Sequence, residues 1–345
     1  MTSMLAVNGR FRGQRLSGVQ RVAGELVGRL VTPHDLLRPS GESSGGAGYA
    51  WEQFRLPIDL RGRLLWSPCN IGPVCVGRQV LTIHDAAVLD HPEWFSRTFV
   101  NTYRAIWRAL VSRVAGLVTV SDYSRRRLCE HFGRPPASVH VVANAAGDRF
   151  SPACDEAVDS VRSMVGIEDR PYFLTLGTLE PRKNLQLVLK AWVRARPQLP
   201  KGARLLMIGA KGSAAVFSGD NLDLAAEGVV ALGHVDDLLL PALLSGSWGL
   251  LYPSLYEGFG LPILEAMACG TPTVTTGLTS LPEVAGDAAL YVDSTDDADL
   301  AGAIVRLAAS EDLRQTLRAK GLERARAYSW SRSAGQMDEI LAACL

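Results

Sequence analysis

The chain has 345 residues, of which 47% are hydrophobic and 21% are charged, with a net charge of +1. That length is enough for two ordinary α/β domains, and the composition is typical of a folded soluble protein. No apolar run reaches the roughly 18 residues of a membrane helix, and the first residues lack the basic start of a signal peptide. The six cysteines form no Cys-x-x-Cys pair and have no histidine at zinc spacing. We therefore expect a reduced, cytoplasmic protein without a structural metal.

The first half of the sequence alternates strand and helix patterns. Apolar runs predict β-strands near residues 3–7, 79–83, 116–120 and 138–142, and helical patterns cover residues near 18–31, 93–113 and 122–132. Residues 40–48, rich in Gly and Ser, predict a flexible loop.

The second half continues the same alternation. Strands are predicted near 172–176, 203–208, 228–232, 248–252, 272–276 and 288–292, and helices near 184–195, 236–245, 260–269, 297–309, 311–327 and 331–343. Such alternation predicts an α/β protein with parallel sheets covered by helices and with ligands at the carboxyl ends of the strands. A polar stretch near 150–170 marks the boundary. We predict domains at 1–165 and 166–328, and a C-terminal helix in 329–345 that packs back toward the first domain.

Charge is distributed unevenly between the two predicted domains. Residues 1–165 contain 20 Arg, no Lys and 14 acids, whereas residues 166–345 contain 16 basic and 21 acidic residues. A basic first half favours an anionic partner there, such as a phosphate-bearing acceptor or a membrane surface. Arg-for-Lys usage in a GC-rich genome would explain the missing Lys, but it would not explain the excess of positive charge.

The stretch Glu257-Gly-Phe-Gly-Leu-Pro-Ile-Leu-Glu265 is the most informative part of the chain. Glu257 lies in a glycine loop after a hydrophobic strand, and Glu265 is predicted about two turns into the next helix, leaning back toward the loop. Glycines allow close backbone approach to a ligand, and N–H groups at a helix start bind phosphate. Two carboxylates around such a loop indicate a nucleotide-sugar site, whereas one glutamate alone would favour solvated acids.

A second motif, Gly177-Thr-Leu-Glu-Pro-Arg182-Lys183-Asn184, joins a predicted strand to a predicted helix. Adjacent cations at such a turn suit a diphosphate, and Arg182 can bind two oxygens at once. Taken alone, the motif is also consistent with a surface loop in which Asn184 caps the helix.

Together these motifs resemble the retaining glycosyltransferases of family GT4. The resemblance also rests on Ala266-Met-Ala-Cys-Gly-Thr-Pro272 and Ser280-Leu-Pro-Glu-Val-Ala-Gly-Asp287, and in the first half on Thr82-Ile-His84-Asp85 and Val120-Ser-Asp-Tyr-Ser124. The resemblance covers nearly the whole chain. Within the family, the chain is similar to the branch of bacterial mannosyltransferases of O-antigen and exopolysaccharide assembly. It implies the GT-B fold, in which two Rossmann-like parallel-sheet domains face each other across a cleft that contains the active site.

The resemblance also implies residue roles. Arg182 and Lys183 would hold the donor diphosphate and stabilise the leaving group. Glu265 would bind the ribose hydroxyls, and Glu257 would contact the transferred sugar. His84, at a strand end, would contact the sugar hydroxyls; the alternative is a histidine hydrogen-bonded in the core, and Asp85 could support either. The implied catalytic set is His84, Arg182, Lys183 and Glu257, and the donor-binding set is Gly18, Gly177, Arg182, Lys183, His234, Val235, Glu257, Gly258, Phe259, Gly260, Leu261 and Glu265.

Several of these positions depart from the family pattern or carry a weaker signal. Gly18 opens the first long helix, where family members often have paired glycines, but this chain has Ser17-Gly18. Gly233-His234-Val235 matches a loop that holds the base through backbone atoms, and the His234 side chain can be just a polar loop residue. Asn144 matches a common Asn of the family's cleft. Asp297-Ala-Asp299 resembles a metal-binding pattern of another class, but it starts a helix, where aspartates cap.

Residues 94–113 mix aromatic residues with Arg97, Arg104, Arg108 and Arg113. A helix of this kind can lie on anionic lipid, or it can pack on its sheet with the arginines solvated. A lipid-linked acceptor would give peripheral attachment to the inner face of the membrane a purpose.

We therefore predict a retaining, metal-independent glycosyltransferase without a cofactor, which moves a hexose to a hydroxyl of a glycan or lipid-linked glycan and has no nucleic-acid partner. GDP-mannose is the first choice of donor, and UDP-glucose and dTDP-rhamnose stay open. Alternatives on the same fold are a sugar-nucleotide epimerase, a glycan phosphorylase and a nucleotide-sugar-binding protein without catalysis. A nicotinamide dehydrogenase is disfavoured because no predicted strand is followed by Gly-x-Gly-x-x-Gly.

Overall fold

The computed structural model describes residues 4–14, 17–39, 41, 45–209 and 224–345. These residues form two compact units. Unit 1 comprises Met1–Pro92, Arg97–Asn144 and Ser329–Leu345, and unit 2 comprises Glu93–Ser96 and Ala145–Tyr328.

Unit 1 is built on a six-stranded parallel sheet. Its strands are β1 (Leu5–Asn8), β2 (His34–Leu37), β3 (Leu64–Ser67), β4 (Gln79–Thr82), β5 (Gly116–Thr119) and β6 (Val139–Val141), in the order β2-β1-β3-β4-β5-β6. Its helices before residue 145 are α1 (Gly18–Val27), α2 (Gly45–Ala50), α3 (Leu56–Leu60), α4 (Ala87–Asp90), α5 (Arg97–Val111) and α6 (Asp122–Phe132). A π-helical turn, Trp51–Arg55, joins α2 to α3. Four strands, β1, β3, β4 and β5, are buried along their whole length, as expected of parallel strands covered on both faces.

Unit 2 is built on a second six-stranded parallel sheet. Its strands are β7 (Tyr172–Leu176), β8 (Arg204–Ile208), β9 (Val229–Gly233), β10 (Gly249–Tyr252), β11 (Thr273–Thr276) and β12 (Ala289–Val292), in the order β12-β11-β10-β7-β8-β9. Its helices are α7 (Asp155–Met164), α8 (Leu185–Ala195), α9 (Leu240–Ser245), α10 (Leu261–Ala268), α11 (Leu281–Ala285), α12 (Asp297–Ala309) and α13 (Glu311–Arg326). The strand order reverses between β7 and β10, and such a switch point is the usual ligand site of an open α/β sheet.

The last helix, α14 (Trp330–Cys344), belongs to unit 1, where it packs against α1. The carboxylate of Asp338 accepts hydrogen bonds from the backbone N–H groups of Val31 and Thr32, each 2.9 Å long. The hydroxyl of Ser333 donates to the carbonyl of Ala143 over 2.6 Å. These contacts tie the end of the chain to the segment that follows α1 and to the end of the first sheet.

The division between the units falls after Asn144, whereas the sequence places the boundary near residue 165. The physical reason is that residues 145–165 contact unit 2. The backbone N–H of Ala153 donates to the Ser245 hydroxyl over 3.0 Å, and Arg162 donates to the Gly246 carbonyl over 3.2 Å. A polar, Pro-containing stretch marks a break in secondary structure, and here the break lies inside a unit.

Most predicted elements match the structure within a few residues, and the exceptions lie mainly in unit 1. Strands β2 and β3 and helices α2, α3, α4, α7 and α11 were not predicted. Each of these strands has only four residues, and a short apolar run does not distinguish a strand from a buried helix. Residues 45–48, predicted as part of a flexible loop, begin α2, and residues 40 and 42–44 of that loop lie outside the described residues.

Candidate functional site

Three charged side chains meet at the carboxyl ends of β7 and β10. Arg182 and Lys183 lie in the 3-10 turn Pro181–Lys183 that follows β7, and Glu257 lies in the loop after β10. Lys183 Nζ is 2.6 Å from Glu257 Oε1, and Arg182 Nη1 is 3.0 Å from Glu257 Oε2. Because β7 and β10 are neighbours at the switch point, the sheet brings together residues that are 74 and 75 positions apart in the sequence.

Tyr252, the last residue of β10, completes this cluster. Lys183 Nζ donates to the Tyr252 hydroxyl over 2.6 Å, and the hydroxyl donates to Glu257 Oε1 over 2.8 Å. Tyr252 is not recognisable as a site residue from the sequence, because it ends an apolar run that is typical of a core strand. The signal that could have found it is its place at a strand's carboxyl end, where functional side chains gather.

Glu180 is a second buried acid to which the sequence analysis assigned no role. Its Oε1 is 2.9 Å from Arg182 Nη2, and its Oε2 makes no hydrogen bond within the described residues. With Glu257 on the other side, two carboxylates hold the Arg182 guanidinium. Two charge-assisted contacts to different nitrogens fix the plane of the guanidinium as well as its position.

The pKa values of the cluster follow from its burial and its charges. Burial raises the pKa of the Glu257 carboxyl, but the charges of Lys183 and Arg182 outweigh burial and lower that pKa to about 2. Burial and the charge of Arg182 lower the pKa of Lys183, against the opposing effect of Glu257. Burial and the Glu257 charge raise the pKa of Tyr252 well above its ordinary value, so its hydroxyl stays a neutral donor. Glu257 is therefore a carboxylate with charged and neutral donors around it.

Two hydroxyl groups form hydrogen bonds to the backbone of the loop that carries Glu257. Thr279 accepts a hydrogen bond from the Glu257 backbone N–H over 3.1 Å. The Ser280 hydroxyl lies 2.9 Å from the carbonyls of both Glu257 and Phe259. The Phe259 side chain is buried and packs edge-to-face on Tyr328, with ring centroids 5.6 Å apart. The loop is thus held in one conformation by residues that follow β11.

Gly260 ends this loop and begins α10. Its φ of +104° lies in the region that L side chains rarely adopt, so glycine is needed there. Leu261 is the first residue of α10, and Pro262 occupies its first turn, where the missing N–H costs little. Gly258, like Phe259, is buried in the loop.

Glu265 lies closer to the start of α10 than the sequence predicts. It is the fifth residue of the helix, a little over one turn from its start rather than about two. The side chain is 6% exposed. Burial and the nearby Glu265 carboxylate raise the pKa of Cys269 to about 12, which places that carboxylate on the buried side of α10. Its predicted ribose contact stays a prediction.

A cavity of about 290 Å³ lies in unit 2, at the carboxyl ends of β7, β8 and β9. Its lining includes the predicted residues Gly177 and His234, with Gly233 beside them, and side chains that are mostly apolar. Val235 follows His234 directly in the loop after β9. Arg182 and Lys183 lie in the turn that follows β7. The cavity and the two cations are therefore at the same edge of the sheet, where its strands have their carboxyl ends. The arrangement is what a flat aromatic base joined to a diphosphate requires.

Two glycines allow backbone segments beside this cavity to approach each other closely. Gly209, which follows β8, has a φ of +154°, and a Cβ there would lie 1.8 Å from the carbonyl oxygen of Gly177. Gly177 has a φ of +143°, and a Cβ there would lie 3.3 Å from the Lys183 side chain. The sequence predicts Gly177 as a site residue, whereas Gly209 was not identified.

In unit 1, the structure brings the two first-half motifs together around His84. The His84 backbone N–H donates to Asn70 over 2.8 Å, and the Ser124 hydroxyl donates to the His84 carbonyl over 3.2 Å. His84 Nε2 donates to the Pro68 carbonyl over 2.9 Å, because a carbonyl can only accept. Burial lowers the His84 pKa to about 4, so the ring is neutral, with its proton on Nε2 and an acceptor at Nδ1.

The remaining predicted residues of unit 1 have simpler surroundings. Asp85 accepts a hydrogen bond from the Ala87 backbone N–H over 3.0 Å at the start of α4. Gly18 is the first residue of α1, and a Cβ there would meet no atom within 4 Å. Asn144, the last residue before the division, is 3% exposed, and its Oδ1 has no hydrogen-bond partner within the described residues. The roles of His84, Gly18 and Asn144 stay predictions.

Two expectations about helix starts are corrected or refined. Asn184 adopts a φ of +55° and makes no capping bond; its amide donates instead to the carbonyls of Pro253 and Ser294, so it fastens the Arg182-Lys183 turn to neighbouring loops. The Asp297-x-Asp299 pattern occupies the first turn of α12, and the capping residue is Asp296. Among the described residues, no group of three or more His, Cys, Asp or Glu is placed to hold a metal ion.

Comparison with known families matches both halves of the chain. Residues 170–310 match the family described as glycosyl transferases group 1, and residues 73–146 match Glycosyltransferase Family 4. The first match contains the Arg182, Lys183, Glu257 and Glu265 motifs, and the second contains His84.

Curated relatives agree with these matches. The chain is 32% identical over 278 residues to the O-antigen chain mannosyltransferase B of Escherichia coli. The alignment covers 79% of this chain and 72% of that protein. It is 26% identical over 228 residues to the E. coli serotype-specific mannosyltransferase WbdA, but spans only 28% of that longer protein. It is 28% identical to a D-inositol 3-phosphate glycosyltransferase of Corynebacterium aurimucosum, over 95% of this chain and 82% of that one.

Solved structures share the fold along nearly the whole chain. WaaG, a glycosyltransferase involved in lipopolysaccharide biosynthesis, superposes with a TM-score of 0.74 at 15% identity, over 98% of this chain and 99% of that one. Anabaena Alr3699/HepE, solved in complex with UDP and glucose, superposes with a TM-score of 0.76 at 14% identity, over 99% and 100% of the two chains. The predicted GT-B fold is confirmed.

Proposed function

The chain belongs to the family 4 glycosyltransferases, and from this premise we propose that it is a retaining transferase with a nucleotide diphosphate sugar as donor. The transferred sugar is a hexose, with GDP-mannose as the first candidate. The acceptor is a hydroxyl of a glycan or lipid-linked oligosaccharide in bacterial polysaccharide biosynthesis. The names of the O-antigen relatives support mannose and this kind of acceptor.

One observation carries the donor assignment. At the switch point of the unit 2 sheet, the buried Lys183 and the partly buried Arg182 lie at the same edge as an apolar cavity of about 290 Å³. A nucleotide sugar has an apolar base face at one end and a doubly charged diphosphate in its middle, so it needs both features at a fixed separation. The resemblance adds that Glu257 contacts the sugar, Glu265 the ribose and the Gly258–Gly260 backbone the phosphate.

The proposed reaction needs no covalent enzyme intermediate. The bond between the anomeric carbon and the diphosphate oxygen breaks, and the acceptor oxygen forms its bond to that carbon on the same face. The acceptor proton passes to the departing diphosphate. Glu257 is not proposed as a nucleophile: its two oxygens accept hydrogen bonds from Lys183, Arg182 and Tyr252 in the structure, and with the donor bound we assign them to the sugar hydroxyls. Arg182 and Lys183 stabilise the charge that grows on the leaving group.

The ion pairs also indicate how donor binding changes the cluster. A diphosphate competes with Glu257 for Arg182 and Lys183, because both acceptors are anionic. When the cations turn to phosphate, Glu257 keeps the hydrogen bond from Tyr252 and gains oxygen capacity for sugar hydroxyls. Tyr252 thus positions the carboxylate in both arrangements.

A thermal-shift panel with GDP, UDP and dTDP tests the donor. A nucleotide that binds the folded state raises the melting temperature by mass action, by about 2.7 kcal/mol of stability at a hundredfold excess over Kd. We expect GDP to give the largest shift. A shift with UDP and none with GDP would reject GDP-mannose and favour UDP-glucose.

The reaction is tested by transfer from GDP-mannose to lipid-linked or free glycan acceptors, with the anomeric configuration of the product read by NMR. Retention with no trapped glycosyl–enzyme adduct is expected. An inverted product, or a trapped adduct, would contradict the proposed mechanism. Donor binding without turnover on any acceptor would favour the non-catalytic alternative, and phosphate-dependent glycan cleavage would favour a phosphorylase.

The relatives named for D-inositol 3-phosphate leave a second kind of acceptor to test. One of them aligns with 95% of this chain, and a small phosphorylated acceptor would also suit the basic first half of the sequence. The same donor assay with inositol 3-phosphate in place of the glycan decides between these acceptors. Faster turnover with inositol 3-phosphate would exclude the glycan assignment.

A further inference from the structure

Thr279, which lies in the turn after β11, has an uncommon backbone conformation. Its φ is +55°, in the left-handed region that side chains rarely adopt. Within the described residues, five non-glycine positions have a positive φ, and Thr279 is the one with a branched Cβ, for which that region is least accessible. Such a conformation costs free energy, so it persists only where the surrounding contacts require it.

The geometry of this turn favours glycine at the position of Thr279. The backbone N–H of Leu281 donates to the Leu278 carbonyl over 3.1 Å, which closes a turn of four residues. Thr279 and Ser280 are its central residues, with φ of +55° and −85°. These signs are those of a type II′ turn, whose first central position is ordinarily glycine. Local preference alone would therefore not select threonine here.

The Thr279 hydroxyl makes a contact that glycine would lack. Its Oγ1 accepts a hydrogen bond of 3.1 Å from the backbone N–H of Glu257. The next residue, Ser280, is fully buried, and its hydroxyl lies 2.9 Å from the Glu257 carbonyl. Two consecutive residues of the turn therefore hold both backbone polar groups of Glu257.

These backbone contacts differ in kind from those of the Glu257 side chain. The carboxylate oxygens accept hydrogen bonds from Lys183, Arg182 and Tyr252, and a bound diphosphate would compete for the two cations. The hydrogen bond to Thr279 involves no charged group, so a phosphate does not compete for it. It therefore keeps the Glu257 backbone in place while the side chain exchanges its partners.

We propose that Thr279 is a positioning residue for the transferred sugar, which holds the Glu257 backbone through its hydroxyl and keeps a strained backbone conformation to do so. This role rests on the proposed function, because Glu257 is assigned to the sugar of the donor. The residue combines two properties: its hydroxyl serves the site, whereas its left-handed backbone lowers the stability of the fold. A departure from local preference of this kind is expected at a functional position.

Four side chains at position 279 separate these two properties. Threonine and serine have the hydroxyl, whereas alanine and glycine lack it, and glycine alone adopts a positive φ without steric cost. Wild type, Thr279→Ser, Thr279→Ala and Thr279→Gly are compared in transfer from saturating GDP-mannose to a mannose-terminated oligosaccharide. We expect kcat to stay within about twofold of wild type in Thr279→Ser and to fall about tenfold in both Thr279→Ala and Thr279→Gly.

Stability is expected to follow the backbone rather than the hydroxyl. Thr279→Gly should melt about 2–4 °C above Thr279→Ala, because glycine relieves the left-handed conformation that alanine retains. If kcat recovers in Thr279→Gly together with stability, the residue only shapes the turn and the proposal is wrong. A Thr279→Ser variant as slow as Thr279→Ala would overturn it as well, since serine keeps the hydroxyl.

Nucleotide binding and a second strained residue serve as controls. Glu257 is assigned to the sugar and not to the nucleotide, so GDP should raise the melting temperature equally in wild type and the three Thr279 variants. A GDP shift that is lost together with kcat would contradict a role confined to Glu257. Glu168, an exposed residue of unit 2, has a φ of +42°. Glu168→Gly is expected to raise the melting temperature and leave kcat unchanged, and a fall in kcat there would also contradict the assignment.

Hydrogen exchange of the Glu257 amide, measured by NMR, tests the contact without any substrate. This N–H should be protected in wild type and in Thr279→Ser, and it should exchange about tenfold faster or more in Thr279→Ala and Thr279→Gly. If the wild-type chain transfers no sugar from any donor, the proposed function fails, and the exchange rates still decide whether Thr279 holds Glu257. Equal protection in all four proteins would overturn the proposal.

Discussion

The ammonium of Lys183 lies 2.6 Å from a carboxylate oxygen of Glu257, and both side chains are 8% exposed. The two residues follow neighbouring strands of the unit 2 sheet, and Tyr252 contacts both. The pair is buried, so each charge depends on the other for compensation. The same geometry gives the site two cations at the place where a diphosphate is proposed to bind.

Replacing Lys183 tests the leaving-group role. Lys183→Ala is expected to lower kcat by about a hundredfold or more, because a preorganised cation that stabilises developing charge is lost. The measurement is transfer at saturating donor, with thermal unfolding alongside, since the variant also leaves Glu257 with one cation fewer. Lys190→Ala, an exposed lysine on α8, is the control and should keep the wild-type rate. Wild-type turnover in Lys183→Ala would refute the assigned role.

Removing one hydroxyl tests the position of Glu257. Tyr252→Phe keeps the ring but removes two hydrogen bonds in the cluster, and kcat/KM is expected to fall about tenfold, equivalent to about 1.4 kcal/mol. The control is Tyr172→Phe, whose buried hydroxyl donates to the Leu243 carbonyl over 2.8 Å, away from the cluster. Both variants should lose about 1 kcal/mol of unfolding free energy. Equal losses of activity in the two variants would show that the Tyr252 effect is only structural.

The close approach of two backbones predicts a strong effect at Gly209. A Cβ there would lie 1.8 Å from the Gly177 oxygen, so Gly209→Ala must displace the end of β8 and disturb the cavity. The expected cost is about 2 kcal/mol or more in urea unfolding, together with a weaker nucleotide shift. Gly302→Ala, on α12 with no atom within 4 Å of the added Cβ, should instead stabilise by about 0.5–1 kcal/mol. A neutral Gly209→Ala variant would contradict this geometry.

The buried neutral ring of His84 predicts a pH dependence of stability. Its pKa is about 4 in the folded protein against an ordinary value of 6.5, so the unfolded chain binds the proton more tightly. The stability from His84 is therefore present above pH 6.5 and is lost as pH falls toward about 4, by roughly 3 kcal/mol. The pKa of Glu257 is about 2 in the folded protein against an ordinary value of 4.5. The stability from this carboxylate is therefore lost at lower pH, as the pH falls from 4.5 toward 2.

Urea unfolding of wild type and His84→Gln at several pH values measures this contribution. The loss of stability between pH 6.5 and 4 should be smaller in His84→Gln, whereas His140→Gln, at an exposed position of β6, should behave like wild type. Parallel curves for wild type and His84→Gln would mean that the ring is not buried in its neutral form.

Much of this protein follows from its sequence. The predicted strands and helices of unit 2 lie within a few residues of the observed ones, because apolar periodicity and turn residues are local properties. The family motifs identify Arg182, Lys183 and Glu257 before their contacts are known. Four-residue strands such as β2, and a helix that starts in a glycine-rich stretch at Gly45, lack enough periodicity to be recognised.

The tertiary structure alone decides which of these residues act together. Strand order places β7 beside β10, and only that pairing brings Lys183 to both Glu257 and Tyr252. The same holds for Phe54 and Ile58, since a sequence shows that residues are apolar but not that they are exposed. Sequence patterns report the chemistry of each segment, whereas contacts between distant segments depend on how the sheet is assembled.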